Sequence, residues 1–558
     1  MQSRFRLSIL FLAAIFIFSS CSKKTNKEGR YIPKTAGLVI LMNGESMSSK
    51  LPWEEIKENA MFKEAYAEYG LDENIKSVLN DPENTGIDRK KNLVIYIQKD
   101  SMGGYVGVEG TVKDATKFKT FYNSMLKGAT GKEKDGIQFL TNAKMTVSWD
   151  KEKFVIIIDV PAMNESNKYK NPYDTDSSSS PVAKRDAVAA AAQIYSLSED
   201  NSLAKDEKFS ELVATKGDFH FWISIGALTA DNPGMAAMSM LNMSKLYENT
   251  FISGVTNFDN GKINIDMKTY AGKELTDLYK KYSDTKLNAE MIKRIPAKDV
   301  VMLFALSFKP NGLKEFIKLT GTEGFINAGA SRLGFTFDDF IKANKGDILL
   351  AVSAFKKRDS MGVSEPTGLF AASVGDKAAF GKLIAAGNKM GNEKMGESMK
   401  NKFAYNVSDD YFVLGTDKLE ADKFLSTANN SNFSFLDKIA GSTSAFYLNI
   451  PGLMSSMNDV MTKDSLDNLS YQATIKMWEN VIATGGGFKD GASNMHIEFN
   501  LVDKNTNSLK QLSNYVSTMS SIDKQRKAMR TKLMDDAMYE EKMTAPEIAP
   551  IEETAPAR

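Results

Sequence analysis

Apolar positions along this chain fall into three patterns. Leu7 to Phe18 is an apolar run, interrupted only by Ser8, behind Arg4 and Arg6, and Ser19-Ser20 leads from it to Cys21. Beyond residue 31, short stretches alternate apolar and polar at a spacing of two, as half-buried strands do. Between them, apolar residues return every three or four positions, as on amphipathic helices. Phe118, Phe121 and Met125 share one such helical face, and Phe380, Leu383 and Ile384 share another. Asp114 and Asp376 stand just ahead of these helices and are the expected N-caps, because a carboxylate accepts the free N–H groups of a first turn.

The predicted elements recur in order. Ile32-Pro33-Lys34 opens the strand GLVILMN, and Ile295-Pro296-Ala297 opens DVVMLFALS. The strand-turn-strand of 92–110 matches that of 347–375, and both turns carry Asp-Ser-Met-Gly. Hairpins follow at 144–159 and 402–416. FHFWISIGAL (219–228) then matches AFYLNIPGL (445–453), with Trp222 at the place of Tyr447. Hairpins at 254–269 and 485–501 close each series and bring His496 near the place of Asn264; a helix follows each, around 272–283 and 505–519. The fold class read from this is α+β: two tandem similar copies of antiparallel sheets, with flanking helices on one face. The first copy spans 32–294 and includes a polar, Ser-rich stretch, 161–186, read as a mobile loop. The second spans 295–525. Residues 526–558 read as a charged helix, reaching back to 524, and a Pro-containing disordered tail. Both one shared sheet and two separate sheets are compatible with the pattern.

Composition narrows the function. Lys+Arg is 71 and Asp+Glu is 70, so the chain has no basic footprint for nucleic acid. A single cysteine rules out a disulfide framework. Two histidines, His220 and His496, leave little room for transition-metal or imidazole chemistry, and no cofactor is expected.

Residues 1–20 have the layout of a secretory signal: a positive start, an apolar run too short to span a bilayer comfortably, and small residues before the cleavage point. Phe18-Ser19-Ser20-Cys21 resembles the lipobox of bacterial lipoproteins. That resemblance implies a diacylglycerol on the Cys21 sulfur and a further acyl chain, such as palmitate, on its amino group. Residues 21–31 would then be a lipidated tether. Ser22 carries no acidic neighbour, which by resemblance to Gram-negative lipoprotein sorting implies the outer membrane, facing the periplasm. The lipobox, the Tyr31-Ile32-Pro33-Lys34 start and the module order resemble an uncharacterised Bacteroidetes lipoprotein family, domain-of-unknown-function family 4836. This resemblance implies no catalytic or binding residue.

Candidate chemistry weighs little against structural readings. His220 and His496 read as strand residues rather than ligands. Ser-x-x-Lys at Ser124/Lys127, Ser202/Lys205 and Ser521/Lys524 lacks a companion Lys-Thr-Gly. Asp503-x-Asn505-x-Asn507 lacks the glycine and glutamate of a calcium loop and reads as a turn before a helix. Gly128 to Lys132 lacks phosphate-loop spacing. Gly104, Gly107 and Gly110 read as close packing within a strand. The acid pairs Asp338/Asp339 and Asp409/Asp410, read as strand neighbours, point to opposite faces and do not converge. Met235, Met238, Met240 and Met243, with Met454, Met457 and Met461, read as core filling rather than an adaptable binding face. Asp-Ser-apolar triplets resemble the Bacteroidetes O-glycosylation motif and make Ser101, Ser360 and Ser465 candidate sites.

The expected function is a membrane-anchored, non-enzymatic binding or scaffolding protein, with an envelope protein or a glycan as partner. A junction between two similar lobes is where a groove is expected. The alternatives are an envelope hydrolase, glycan-directed, whose carboxylates come from distant segments, and an accessory that holds other exported proteins.

Overall fold

The computed structural model describes residues 26–68, 73–143, 145–160, 185–229, 246–357, 364–394, 403–416, 418–426, 430–456 and 464–544. Cys21, Ser360, residues 161–184, the Met235–Met243 cluster, Met457, Met461 and residues 545–558 lie outside that range.

The strands, in chain order, are β1 (Leu38–Met42), β2 (Leu93–Gln98), β3 (Tyr105–Thr111), β4 (Thr130–Lys134), β5 (Ile137–Thr141), β6 (Met145–Trp149), β7 (Lys153–Asp159), β8 (Phe219–Ser224), β9 (Phe251–Asp259) and β10 (Lys262–Tyr270). They continue as β11 (Met302–Ser307), β12 (Asn344–Lys357), β13 (Ser364–Val374), β14 (Ala404–Val407), β15 (Tyr411–Gly415), β16 (Ser444–Asn449), β17 (Trp478–Lys489) and β18 (Ala492–Leu501). These 18 strands of the described residues join one sheet with antiparallel neighbours. Outward from its centre, one side runs β10-β9-β8-β1-β2-β3-β7-β6-β5-β4. The other runs β18-β17-β16-β11-β12-β13-β15-β14. The two sides meet where β10 pairs with β18, Ile265 opposite Ile497.

Alternation along the strands divides the side chains between the two faces. On one face Val39 lies between Tyr96 and Trp222. Trp222 stacks on Phe251 at 5.0 Å and meets Phe209 edge-on at 5.9 Å, beneath the helices Ala187–Tyr195 and Glu207–Ala214. Across the sheet, Leu303 lies between Ala351 and Tyr447, and Tyr447 stacks on Phe435 at 4.2 Å. The opposite face is also covered. Phe118 and Tyr122, on the helix Ala115–Met125, pack on Trp149, Phe154 and Ile156. The expectation of helices on one face is therefore corrected. The physical sign was Phe154-Val155-Ile156-Ile157, four consecutive apolar residues in β7, all buried, where a one-sided strand would alternate.

Several local expectations hold. Asp114 accepts N–H bonds from Thr116 and Lys117, and Asp376 accepts one from Ala379. Phe118 is buried, but Met125 is exposed; the inward stripe is Phe118-Tyr122-Leu126. Gly107 does mark a close approach, since a Cβ there would lie 2.1 Å from the buried Tyr96 ring. Gly104 stands just before β3 rather than within it. Asp338 and Asp339 lie on the helix Phe337–Ala343, where Asp339 completes a capping box with Thr336, so they are not strand residues. Asp409 and Asp410 sit in the turn between β14 and β15, paired with Lys377 and Lys345. The segments expected as separate helices near 505–519 and 524–543 form one helix, Ser508–Thr544. At the end of the expected loop, Arg185 binds Asp159 at 2.9 Å and both oxygens of Asp100, and Asp186 caps the next helix.

Candidate functional site

The central strands are built differently from those around them. β10 reads Asn264-Ile265-Asp266-Met267-Lys268, and β18 reads Asn494-Met495-His496-Ile497-Glu498. Each alternates polar and apolar, so directly opposed residues put every polar side chain on one face. Apolar helices cover that face over each lateral core but part over this polar seam. The result is a cleft of about 840 Å³. Glu211 and Thr215 wall it on one side, and the loop Gly441-Ser442-Thr443 on the other.

Asp266 and His496 face each other directly across the seam. The His496 Nδ1 lies 2.7 Å from an Asp266 oxygen, and its Nε2 lies 3.7 Å from Glu498. Glu498 is largely covered. Burial opposes its charge, but the hydrogen bond from Lys438 and the charges of Lys438 and Lys262 outweigh it, pulling the carboxyl down to about 2. Lys268 binds Glu211 at the rim, and that hydrogen bond holds its ammonium above the usual value. Lys280, Lys286 and Asp284 also line the cleft, so three lysines meet Glu211, Asp266 and Asp284. Such balance leaves the cleft without a strong field of either sign. Phe488, stacked on Tyr279 at 6.2 Å, adds an aromatic wall.

The hydrophobic pattern made β10 and β18 visible and aligned His496 near the place of Asn264 in the other copy, but it gave no pairing between the two strands. In the sheet His496 lies opposite Asp266. The available signal was the turn glycine: His496 lies five residues past Gly491, and Asp266 five past Gly261. Both glycines have positive φ, 78° and 68°, and so fix the hairpin turns.

The remaining candidates stand apart. His220 is buried, its Nε2 2.7 Å from the Thr215 carbonyl, as a core histidine. Ser124 bonds its own helix at the Phe121 carbonyl. Ser202 caps a short helix through Ala204 N. Asp503 accepts N–H bonds from Asn505 and Thr506 in a turn before the last helix. Gly128 to Lys132 leads into the exposed edge strand β4. Met454 is buried, as core filling requires. Ser101 is exposed in the turn between β2 and β3, and Ser465 is exposed as the first residue of the helix Ser465–Met477. Among the described residues no group of three His, Cys, Asp or Glu side chains could hold a metal ion. Also among them, no helix is long and apolar enough to cross a membrane.

One buried acid was missed. Glu109 is fully covered in β3, its Oε2 makes no hydrogen bond, and burial pushes its carboxyl up to about 8. Tyr96, also buried, leaves its hydroxyl unpartnered. Nothing in VGVEGT marks that glutamate as buried except its place in the alternation.

Comparison with known proteins places the chain in a family. The family described as domain of unknown function (DUF4836) matches residues 30–437. No curated protein matches the chain. Among solved structures, crystal form I of TP0453 is similar over 44% of this chain and 78% of its own, at 11% identity and a TM-score of 0.24.

Proposed function

For a chain that belongs to the DUF4836 domain-of-unknown-function family, we propose a membrane-anchored binding protein whose two similar halves present a ligand cleft at their junction. The cleft carries the proposal: a cavity of about 840 Å³ over the β10–β18 seam, its lining of balanced charge and mixed polar and apolar groups. Its hydroxyls, paired charges and aromatic wall suit a neutral polar partner, a glycan or an extended peptide segment.

Tandem duplication of one unit, 32–294 and 295–525, is supported by the strand order, which reads the same outward from the seam on both sides as far as β6 and β14. It is also supported by Trp222 and Tyr447, each beside the first strand of its half. A two-fold relation of the halves passes through the Asp266–His496 pair, since each is fifth after its turn glycine. The anchor rests on the lipobox resemblance at Cys21, with the outer membrane, periplasmic side, as its address.

The rival reading, a hydrolase, draws support from the Asp266–His496 pair, which could move a proton. Among the described residues the cleft offers no pair of buried carboxylates: the Asp266 side chain is 65% exposed, that of Glu211 53%, and Asp284 is exposed as well. The second ring nitrogen of His496 faces Glu498 rather than a hydroxyl nucleophile. Binding is therefore the better reading.

A photoreactive amino acid at Phe488, in living cells, tests it. The expected result is one defined adduct, glycan or protein, that is missing when the same probe replaces Phe325, 70% exposed on a distant helix. Equal capture from both positions, or none from Phe488, would remove the cleft as a binding site.

A further inference from the structure

A second cavity, of about 380 Å³, lies beneath the helix Gly44–Lys50, away from the seam. Its walls are mainly apolar: Met47, Leu51 and Ile56 come from above, and Ile87 and Leu93 from the sheet side. Two of its polar contributors are cations on one short loop. The Arg89 guanidinium is held over the Trp53 ring at 5.2 Å, and the Trp53 Nε1 donates to the Leu79 carbonyl at 3.1 Å. Lys91 is exposed beside it. Neither cation forms an ion pair among the described residues, and Asp88 is the one carboxylate in the lining.

We propose that this cavity binds a single-chain anionic amphiphile, a medium-chain free fatty acid, with its chain among Met47, Leu51 and Ile56 and its carboxylate at Arg89 and Lys91. Three features carry the assignment. The apolar wall rewards burial of a hydrocarbon chain in proportion to its area. Methionine at position 47 adapts to a flexible chain. The guanidinium, already oriented by Trp53, matches a carboxylate with two parallel donors. Ligand cavities run from about 300 to 1,000 Å³. A cavity of 380 Å³ is at the small end, which fits one chain and excludes a two-chain phospholipid.

The test is equilibrium binding of radiolabelled laurate to the full-length protein, with dodecanol as the neutral comparator. The expected result is one saturable laurate site. Met47→Trp, which fills the cavity, should weaken laurate at least tenfold while keeping the wild-type circular dichroism and melting curve. If that variant misfolds, Ile87→Trp fills the cavity from the other wall. Arg89→Gln with Lys91→Gln should weaken laurate about tenfold and leave dodecanol unchanged. The proposal is overturned by the absence of saturable laurate binding. It is equally overturned by binding that a folded cavity-filling variant leaves intact, or by equal losses for laurate and dodecanol in the double variant. None of these outcomes bears on the seam cleft.

Discussion

Replacing Glu109 with glutamine removes a titrating group while keeping shape and polarity. Burial holds the Glu109 carboxyl at about 8 against its usual 4.5. The folded protein thus keeps a proton that the unfolded chain releases above pH 4.5. Stability from this group is fully present below 4.5, falls as pH rises, and is lost once pH passes about 8. Each pKa unit is worth about 1.4 kcal/mol. The wild type therefore gives up less than about 1 kcal/mol at pH 5, about 3 at pH 7, and nearly 5 above pH 8. The charge of Lys153 acts to reduce this penalty and that of Glu28 to increase it. Glu109→Gln should match the wild type at pH 4.5 and exceed it by an amount that grows with pH. Urea unfolding of both proteins at pH 4.5, 6, 7 and 8.5 reads the difference directly, because all other titrations cancel. A stability difference that stays flat across that range would refute the reasoning.

Other expectations follow from single contacts. Gly107→Ala drives a methyl group into the Tyr96 ring and should destabilise by about 1–3 kcal/mol, seen as a lower urea midpoint with unchanged slope. Asp114→Ala removes the acceptor for two N–H groups at the start of the helix Ala115–Met125 and should cost about 1 kcal/mol in the same assay. Cys21→Ser should move the protein from the membrane pellet to the soluble fraction, since several acyl chains give durable anchoring that one hydroxyl cannot; retention in the pellet would count against the lipid anchor.

Much of the architecture was legible because short strands and tight turns leave local signals. The recurrence of Asp-Ser-Met-Gly turns and of the Trp222 and Tyr447 strands marked elements that occupy matching places in the sheet order. The join was not legible. Pairing of β10 with β18 spans more than two hundred residues, and no local pattern specifies a partner at that distance. The cleft inherits that difficulty, since Asp266 and His496 have meaning only once the two strands are neighbours. Helix placement failed where burial is two-sided. β7 reads as a continuous apolar run, which helices on one face alone cannot cover. Glu109 was passed over because a charged residue on a strand reads as solvent-facing until its neighbours are known.

The seam between β10 and β18 is what makes one sheet, and therefore one cleft, from the two halves. Hydrogen exchange of the full-length protein, resolved at residues 262–269 and 493–500, tests it most directly. If these strands sit at the centre of the sheet, their amides should exchange as slowly as those of β1 and β11, near the limit set by global unfolding. Rapid exchange in both segments, as for exposed edge strands such as β4, would mean that the halves do not join there.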